Sequence, residues 1–330
     1  TWFEAQSKGC GGRSLVAYKM NDLDLLRQDM AGTDNEKRFE TYYKAMCVRS
    51  PERFYVSAPR SHELNGLLQK FPNFSKVTQT IQKYFKLLHL QDTPVMKMPS
   101  ILLVGNPGLG KTRYLNALVR ILNVPIHDIA MSSMTAGFVL GGLDLSWKGG
   151  KIGLIANAFI GDVYANPVFV LDELDKVSGH DHYDPYGCLY QLLEKHTARK
   201  FKDEVMQIEL DTSGASWFAT ANSIGNIPEA ILSRFQVIYI SDVSNEYEHR
   251  LAQSVYEEIC GSEEWGVHFE SCLSDQALEQ MRGLDPRAMG VAIFNACANA
   301  ASRSERPFQL CTADFENEFE SMSQSNMRFV

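Results

Sequence analysis

The sequence predicts an α/β protein whose parallel sheet is followed by an all-helical segment. Short apolar runs alternate with helical patterns between about residues 100 and 240, which is typical of a parallel sheet covered by helices on both faces. After about residue 242 the strand pattern stops and only helical periodicity continues. The 330 residues, 45% of them apolar, suffice for one large domain with a smaller companion, or for two to three compact units.

Periodicity and local signals place the individual elements in the first two thirds of the chain. Residues 21–30 and 35–48 carry apolar side chains at helical spacing, and in 75–90 they recur on one helical face. The first 70 residues are therefore expected to be mainly helical. The sheet strands are expected at 100–104, 125–130, 167–174, 216–222 and 236–240, with helices between them at 112–122, 151–164 and 186–196.

Three further helices are expected in the last third. Residues 245–259 form an apolar stripe, 274–283 open with a serine cap and end at a glycine, and 286–302 begin with proline. The predicted organisation is a helical N-terminal region of unknown role over 1–70, an α/β domain over 71–242 and a helical domain over 243–330.

Charge, cysteine content and the lengths of apolar runs limit the partners and the cell compartment that are expected for the chain. The net charge of −8 disfavours nucleic acid as a default partner, although a local basic channel stays compatible with it. Seven cysteines without CxxC spacing predict reduced, mostly buried thiols in a cytoplasmic protein. Neither a secretory leader nor a run of the roughly 20 apolar residues of a membrane span is present, so no membrane partner is expected. The chain opens with Thr1, which is compatible with a trimmed start.

A glycine-rich loop between a strand and a helix carries the strongest chemical signal. The run GNPGLGKT at 105–112 fits GxxxxGK[ST] at every fixed position. Its backbone N–H groups and the following helix N-terminus would bind phosphates, with Lys111 on the outer phosphates and Thr112 on Mg²⁺. ATP and Mg²⁺ are thus the predicted cofactors. The predicted nucleotide contacts in this stretch are Gly105, Asn106, Pro107, Gly108, Leu109, Gly110, Lys111, Thr112 and Arg113.

A buried strand at 167–174 ends in carboxylates. Asp172 would hold Mg²⁺, and Glu173 would orient and polarise the attacking water. Consecutive residues at a strand end point to opposite sides, so one faces the metal and the other the nucleophile. Asp175 and Lys176 are interpreted as a helix cap and a surface charge.

Three more side chains complete the predicted chemistry. Asn222 ends the strand beside the phosphate loop, where its amide would bond the water and the γ-phosphate; the alternative is a turn-forming asparagine. Arg234 follows a short helix and in a ring would reach the neighbour's nucleotide; the alternative is a surface salt bridge. Arg287 opens a C-terminal helix and would swing onto the γ-phosphate of its own chain, which is a weaker signal.

Together these residues resemble the AAA+ ATPases, and most closely the ATPase module of Lon-type proteases. The resemblance rests on GNPGLGKT, NPVFVLDELDK, FATANSIGNIPEAILSRFQVI and GGKIGLIANAF, and it spans roughly residues 72–300. It implies a five-stranded α/β sheet, a helical lid, a hexameric ring and ATP-driven translocation of polypeptide through a pore. By the resemblance, Lys111 and Thr112 match the Walker A motif, and Asp172 and Glu173 match the Walker B motif. Asn222 matches sensor 1. Arg234 matches the arginine finger, and Arg287 matches sensor 2.

Two departures from the Lon pattern stand out. Asn106 occupies a position where Lon-type loops usually carry proline. The chain also ends about thirty residues after the expected lid, so the serine–lysine protease domain of Lon has no counterpart in it and proteolysis by this chain is not expected.

The resemblance also implies a pore loop, here at 141–151. Trp147 and Lys148 are the predicted polypeptide contacts, because a large flat side chain on a flexible loop packs against an extended peptide; the alternative is that Trp147 packs on its own domain. A second pore-facing loop is expected at 179–187, where His180 and His182 are interpreted as solvated.

Three functions stay open from the sequence. The leading one is a homo-oligomeric ATPase that unfolds, remodels or translocates protein, with a protein substrate or adaptor as partner. A nucleic-acid motor or loader is disfavoured by the acidic charge and the lack of a basic, aromatic stripe. A nucleotide switch that scaffolds a partner is disfavoured by the complete set of hydrolytic residues.

Overall fold

The structure is a computed structural model that describes residues 13–133, 137–177, 184, 186–240, 245–304 and 306–315. The chain packs as two compact units. The first comprises Thr1–Leu64, Gln79–Val104 and Leu115–Tyr239, and the second Asn65–Thr78, Gly105–Tyr114 and Ile240–Val330. The three-part organisation with boundaries at residues 70 and 242 stays a prediction.

Seven strands are described. They are β1 (Ser14–Val16), β2 (Glu52–Phe54), β3 (Ile101–Val104), β4 (Ile126–Ala130), β5 (Val168–Asp172), β6 (Ser216–Ala221) and β7 (Gln236–Tyr239). Five of them form a parallel sheet in the order β4-β5-β6-β3-β7. The central strands β3 and β6 are buried along their whole length, whereas the edge strands β4 and β7 are partly exposed. The predicted parallel α/β sheet is confirmed.

Thirteen α-helices are described. They are α1 (Met20–Met30), α2 (Glu36–Arg49), α3 (Asn65–Lys70), α4 (Ser75–Leu88), α5 (Lys111–Leu122), α6 (Phe138–Gly141), α7 (Leu154–Gly161), α8 (Gly187–Leu192), α9 (Lys195–Ala198), α10 (Glu229–Leu232), α11 (Asn245–Ser262), α12 (Asp275–Gln280) and α13 (Pro286–Ala300). The helix predicted at 151–164 is shorter: Lys151 pairs with Leu143 in a β-bridge, and Asp162 after the helix is extended. The helix predicted at 186–196 is divided into α8 and α9.

The N-terminal segment contains a small sheet that the sequence did not predict. β1 pairs with β2 in antiparallel orientation, with Leu15 opposite Arg53. The strands are three residues long, too short for an alternating pattern to be read from the sequence. The two predicted helices of this segment are confirmed as α1 and α2.

The second unit contains a helical core. Leu251 and Val255 of α11 pack in one buried cluster with Met289 and Ile293 of α13. The predicted caps are present: the Ser274 side chain accepts a hydrogen bond from the Ala277 N–H, and Pro286 occupies the first turn of α13. These local signals set the helix bounds at 275 and 286 as expected.

The cysteines are less buried than predicted. Six of them lie in the described part of the chain and are free, and among these only Cys297 is buried. Cys47 and Cys272 lie on exposed helical and loop positions, where a small side chain needs no core contact. Across the residues that the structure describes, no helix combines the length and apolar character of a membrane span.

Candidate nucleotide-binding site

The glycine-rich loop begins where β3 ends and runs into the first turn of α5. Lys111 is 7% exposed, and its ammonium donates to the carbonyl oxygens of Gly105 at 2.7 Å and Asn106 at 2.9 Å. Gly108 and Gly110 have φ values of +86° and +83°, a conformation that glycine adopts without steric cost. The loop therefore curls around its own lysine, and its residue types fit a phosphate group.

A carboxylate that the sequence analysis missed lies next to this loop. A Cβ atom added at Gly108 would be 2.8 Å from the Asp285 carboxyl carbon. Asp285 caps α13 by accepting hydrogen bonds from the N–H groups of Arg287 at 2.8 Å and Ala288 at 2.9 Å. The helix that carries Arg287 thus begins beside the phosphate loop, within one compact unit, and Arg287 itself is exposed.

Two residues flanking the loop have partners in the second unit. The Arg113 guanidinium forms an ion pair with Glu258 of α11 and donates to the Ser254 carbonyl at 3.1 Å. The Asn73 amide donates to the Leu109 carbonyl at 3.2 Å. Arg113 therefore bonds α11 through its guanidinium, whereas Thr112, the next residue back, is exposed in the first turn of α5.

In the first unit, a threonine connects the two predicted acidic residues. The Thr220 hydroxyl of β6 donates to Asp172 Oδ1 at 2.5 Å and accepts the Glu173 N–H at 2.9 Å. Glu173 has φ +55° and ψ +51°, a left-handed conformation that is uncommon for a residue with a side chain and is often found at functional sites. Asp172 is half-buried and Glu173 exposed. One hydroxyl thus holds the Asp172 carboxylate and the main chain of Glu173.

The interpretation of Asp175 as a helix cap is wrong. Asp175 is 5% exposed and accepts a hydrogen bond from the Ser223 N–H at 3.2 Å. The Tyr186 hydroxyl donates to the Leu174 carbonyl at 2.8 Å, and burial raises the pKa of Tyr186 to about 12. The segment after β5 is therefore held to the segment after β6. Lys176 is exposed as expected.

Asn222 and Arg234 lie on the same unit. Asn222 follows β6 directly and is half-buried. The Arg234 guanidinium lies 3.3 Å from a Glu194 carboxylate oxygen and 5.8 Å from the centre of the Tyr190 ring. Its side chain is 22% exposed. Within the chain, Arg234 is thus held by the α8–α9 segment.

The loop with Trp147 is closed at its base, and its predicted contact with polypeptide stays a prediction. The Leu143 N–H donates to the Lys151 carbonyl at 2.9 Å and closes the base of the loop. Trp147 is 62% exposed, and Lys148 is exposed too. Trp147 also borders a cavity of about 650 Å³. Most of the second predicted pore loop, with His180 and His182, lies outside the described residues.

The glycine-rich loop pattern and the parallel sheet are those of P-loop nucleotide-binding proteins. Because β3, β6 and β5 are adjacent and parallel, the phosphate loop, Asn222 and Asp172 all follow the carboxyl ends of neighbouring strands. This edge is where open α/β sheets bind their ligands.

The comparison with protein families makes the assignment more specific. Residues 101–243 match the family model "ATPase family associated with various cellular activities (AAA)". Residues 101–243 are thus similar to the AAA family, and with the five-stranded parallel sheet this confirms the predicted α/β AAA+ fold class.

Relatives of known sequence share this region. The chain is 32% identical over 178 residues to the Lon protease of Clostridioides difficile, covering 54% of this chain and 22% of that protein. It is 27% identical over 269 residues to the Lon protease of Mycoplasma mycoides, covering 77% of this chain and 34% of that protein. The chain thus spans between about a fifth and a third of the length of these relatives.

Solved structures with the same fold include two of Hsp104. One, described as a closed state with ATPγS and FITC casein, has a TM-score of 0.58 at 16% identity and covers 73% of this chain and 47% of that chain. The other, an extended Saccharomyces cerevisiae Hsp104–casein complex, has a TM-score of 0.59 at 14% identity and covers 84% of this chain and 49% of that chain. At such identities the likeness shows the fold.

Proposed function

We propose that this chain is a Mg²⁺-dependent ATPase that works as a subunit of a ring, with six subunits as in the resemblance to AAA+ proteins, and that it remodels or translocates polypeptides. The observation that carries the proposal is the Thr220 hydroxyl bonded to both Asp172 and Glu173, in a chain with a complete phosphate-loop pattern. These bonds hold the Asp172 carboxylate and the main chain of Glu173, an arrangement that suits hydrolysis and that nucleotide binding alone does not require.

The residues present fit ATP and Mg²⁺. Loop N–H groups and Lys111 would bind the phosphates, and Thr112 with Asp172 offers the oxygen ligands that Mg²⁺ prefers. When bound, Mg²⁺ neutralises the charge that develops on the transferred phosphoryl group. Glu173 orients the attacking water, and Asn222 bonds that water and the γ-phosphate.

Two arginines extend the proposed site. Arg287 reaches the phosphates from the start of α13, in the unit that holds the phosphate loop. Arg234 breaks its ion pair with Glu194 and acts on the nucleotide of a neighbouring subunit. This role requires a ring and not a monomer.

Thr220→Val is expected to reduce ATP turnover by about 10–100-fold and to raise the Mg²⁺ concentration that gives half-maximal turnover. This is the usual effect of removing a partner that orients a metal ligand. The change keeps the side-chain volume but removes the hydroxyl from both Asp172 and Glu173. Hydrolysis measured against Mg²⁺ concentration tests this expectation. Thr220→Ser keeps the hydroxyl and is the matched control; an unchanged Mg²⁺ dependence in the valine variant would contradict the role.

A polypeptide substrate is supported by the relatives and by the surface. The Lon relatives are proteases by name, and the Hsp104 structures contain casein. Trp147 presents an exposed aromatic ring on a closed loop, and aromatic side chains are the usual anchors of peptide contacts. The net charge of −8 gives no comparable support for nucleic acid.

The test is ATP hydrolysis with casein, with DNA and with neither. Casein is expected to stimulate turnover in the wild-type chain. Trp147→Ala is expected to raise the half-saturating casein concentration by about tenfold or more, as loss of an interface aromatic does, and to keep basal turnover. Trp147→Phe retains a flat ring and should retain the response. Stimulation by DNA alone would favour a nucleic-acid motor, and slow turnover with no response to either polymer would favour a switch.

A further inference from the structure

The loop that carries Trp147 has a defined shape. The Trp147 N–H donates to the Asp144 carbonyl at 3.1 Å, and the Gly150 N–H donates to the Trp147 carbonyl at 2.9 Å. The Ser146 N–H donates to Asp144 Oδ1 at 2.8 Å, and hydrogen bonding from Ser146 lowers the pKa of Asp144. Because the tip is a closed turn, whatever fixes the turn also fixes Trp147.

Two side chains from outside the loop bond its backbone. The buried Asp203 carboxylate accepts the Gly153 N–H at 2.7 Å and also the Val205 N–H at 2.9 Å. The Arg38 guanidinium, on α2, donates to the Gly150 carbonyl. Asp203 thus holds the end of the loop from within the α/β fold, and Arg38 holds its returning arm from the N-terminal segment.

The same N-terminal segment bonds the far end of the helix that follows the loop. Arg53 Nε donates to the Phe159 carbonyl at 2.7 Å. Arg49 donates to the Ile160 carbonyl at 3.3 Å and to the Gly161 carbonyl. The last carbonyls of a helix lack partners within it, and cations there complement the helix dipole. Three arginines of one segment therefore hold both the loop and the end of α7.

Apolar packing joins the segment to this helix. Leu23, Phe39 and Met46 belong to the same buried cluster as Ile155 and Phe159 of α7. Truncating a large side chain in such a cluster lowers the free energy of unfolding. Residues 13–54 are therefore an integral part of the unit that carries Trp147, whereas the sequence left their role unknown.

We propose that Arg38 is a positioning residue for the Trp147 loop, and that residues 13–54 brace this loop against the load of a bound polypeptide. The proposal rests on the proposed function for the assignment of Trp147 to polypeptide contact. A hydrogen bond from a charged donor is stronger than one between neutral groups, and this one reaches the loop itself. Arg49 and Arg53 instead bond the end of α7, about ten residues further along the chain.

Arg38→Gln in the full chain tests the proposal, with Arg49→Gln as the matched control. Peptides over residues 142–153 should exchange amide hydrogens about tenfold faster in Arg38→Gln, as expected for losing a charged hydrogen bond that limits local opening. Peptides of β3 and β6 should be unchanged. Arg49→Gln should alter exchange just after α7 and leave the loop unchanged. In the hydrolysis assay, Arg38→Gln should need about tenfold more casein for half-maximal stimulation, with basal turnover retained.

The proposal would be overturned if the loop in Arg38→Gln exchanged amide hydrogens at the wild-type rate, or if Arg49→Gln accelerated loop exchange equally. It would also be overturned if Arg38→Gln exchanged faster but needed no more casein than the wild type. If casein stimulates no variant, the wild type included, while the loop still exchanges faster in Arg38→Gln, the polypeptide assignment fails and the Arg38 contact stands. Arg38→Lys keeps the charge but not the planar guanidinium, and it should change loop exchange and the casein response in the same direction by a smaller amount.

Discussion

Glu173→Gln is expected to lower ATP turnover by about 10²–10⁴-fold, the range for loss of a general base, while leaving ATP binding close to that of the wild type. The amide keeps the shape of the side chain but accepts no proton from the attacking water. The left-handed backbone of Glu173 and its N–H bond to Thr220 involve only main-chain atoms of this residue, so the substitution leaves both intact. Phosphate release and binding of a fluorescent ATP analogue measure the two effects separately.

Lys111→Ala is the matched comparison for that experiment. It should lose nucleotide affinity, because the ammonium that lies within the loop is the expected partner of the outer phosphates. Turnover of Glu173→Gln within twofold of the wild type would refute its role with water. Loss of binding in both variants would show that the acidic residue acts through the structure of the site instead.

Arg234→Ala is expected to bind nucleotide normally and to lose about 10³–10⁵-fold in turnover, the effect of removing an arginine finger. Because Arg234 would act on the neighbour, mixing this variant with Lys111→Ala subunits should restore part of the activity. In such mixed rings, a subunit with an intact phosphate loop receives Arg234 from a neighbour that cannot bind nucleotide. Turnover measured over a series of mixing ratios tests the assignment.

Glu194→Gln separates this role from a purely local one. Glu194 is the ion-pair partner of Arg234 within the chain, at 3.3 Å. If the arginine only stabilises the α8–α9 segment, the glutamine variant should reproduce the loss seen in Arg234→Ala. If the arginine acts across an interface, the glutamine variant should retain turnover. Absence of rescue at every mixing ratio would leave the cross-subunit assignment unsupported.

Features with a local origin were predictable from the sequence. The phosphate loop is a contiguous motif between a strand and a helix, and the five sheet strands are short apolar runs bounded by turn residues. Helix bounds at Ser274 and Pro286 follow from capping chemistry. Each of these signals lies within about ten residues of the structure that it specifies, so no knowledge of the tertiary fold is needed.

Features that depend on distant contacts were not predictable in the same way. Thr220 bonds residues 47 and 48 positions away, and in the sequence it was one polar residue inside an apolar strand. Its place inside an apolar run was the available signal, since a buried hydroxyl needs a partner, and in the structure Thr220 is 1% exposed. Asp285 lies beside Gly108, Asp175 accepts the Ser223 N–H and Arg38 donates to the Gly150 carbonyl. The fold sets these three contacts, and no local pattern shows them.

The position of Asp285 has a consequence for how the second unit responds to its ligand. Its carboxylate borders Gly108 and at the same time caps α13. A phosphate at the loop would bring negative charge next to that exposed carboxylate, and like charges near a protein surface repel each other. Filling the loop therefore strains the cap unless a cation stands between the two anions. The cap at the start of α13 is therefore expected to change when the loop binds a phosphate.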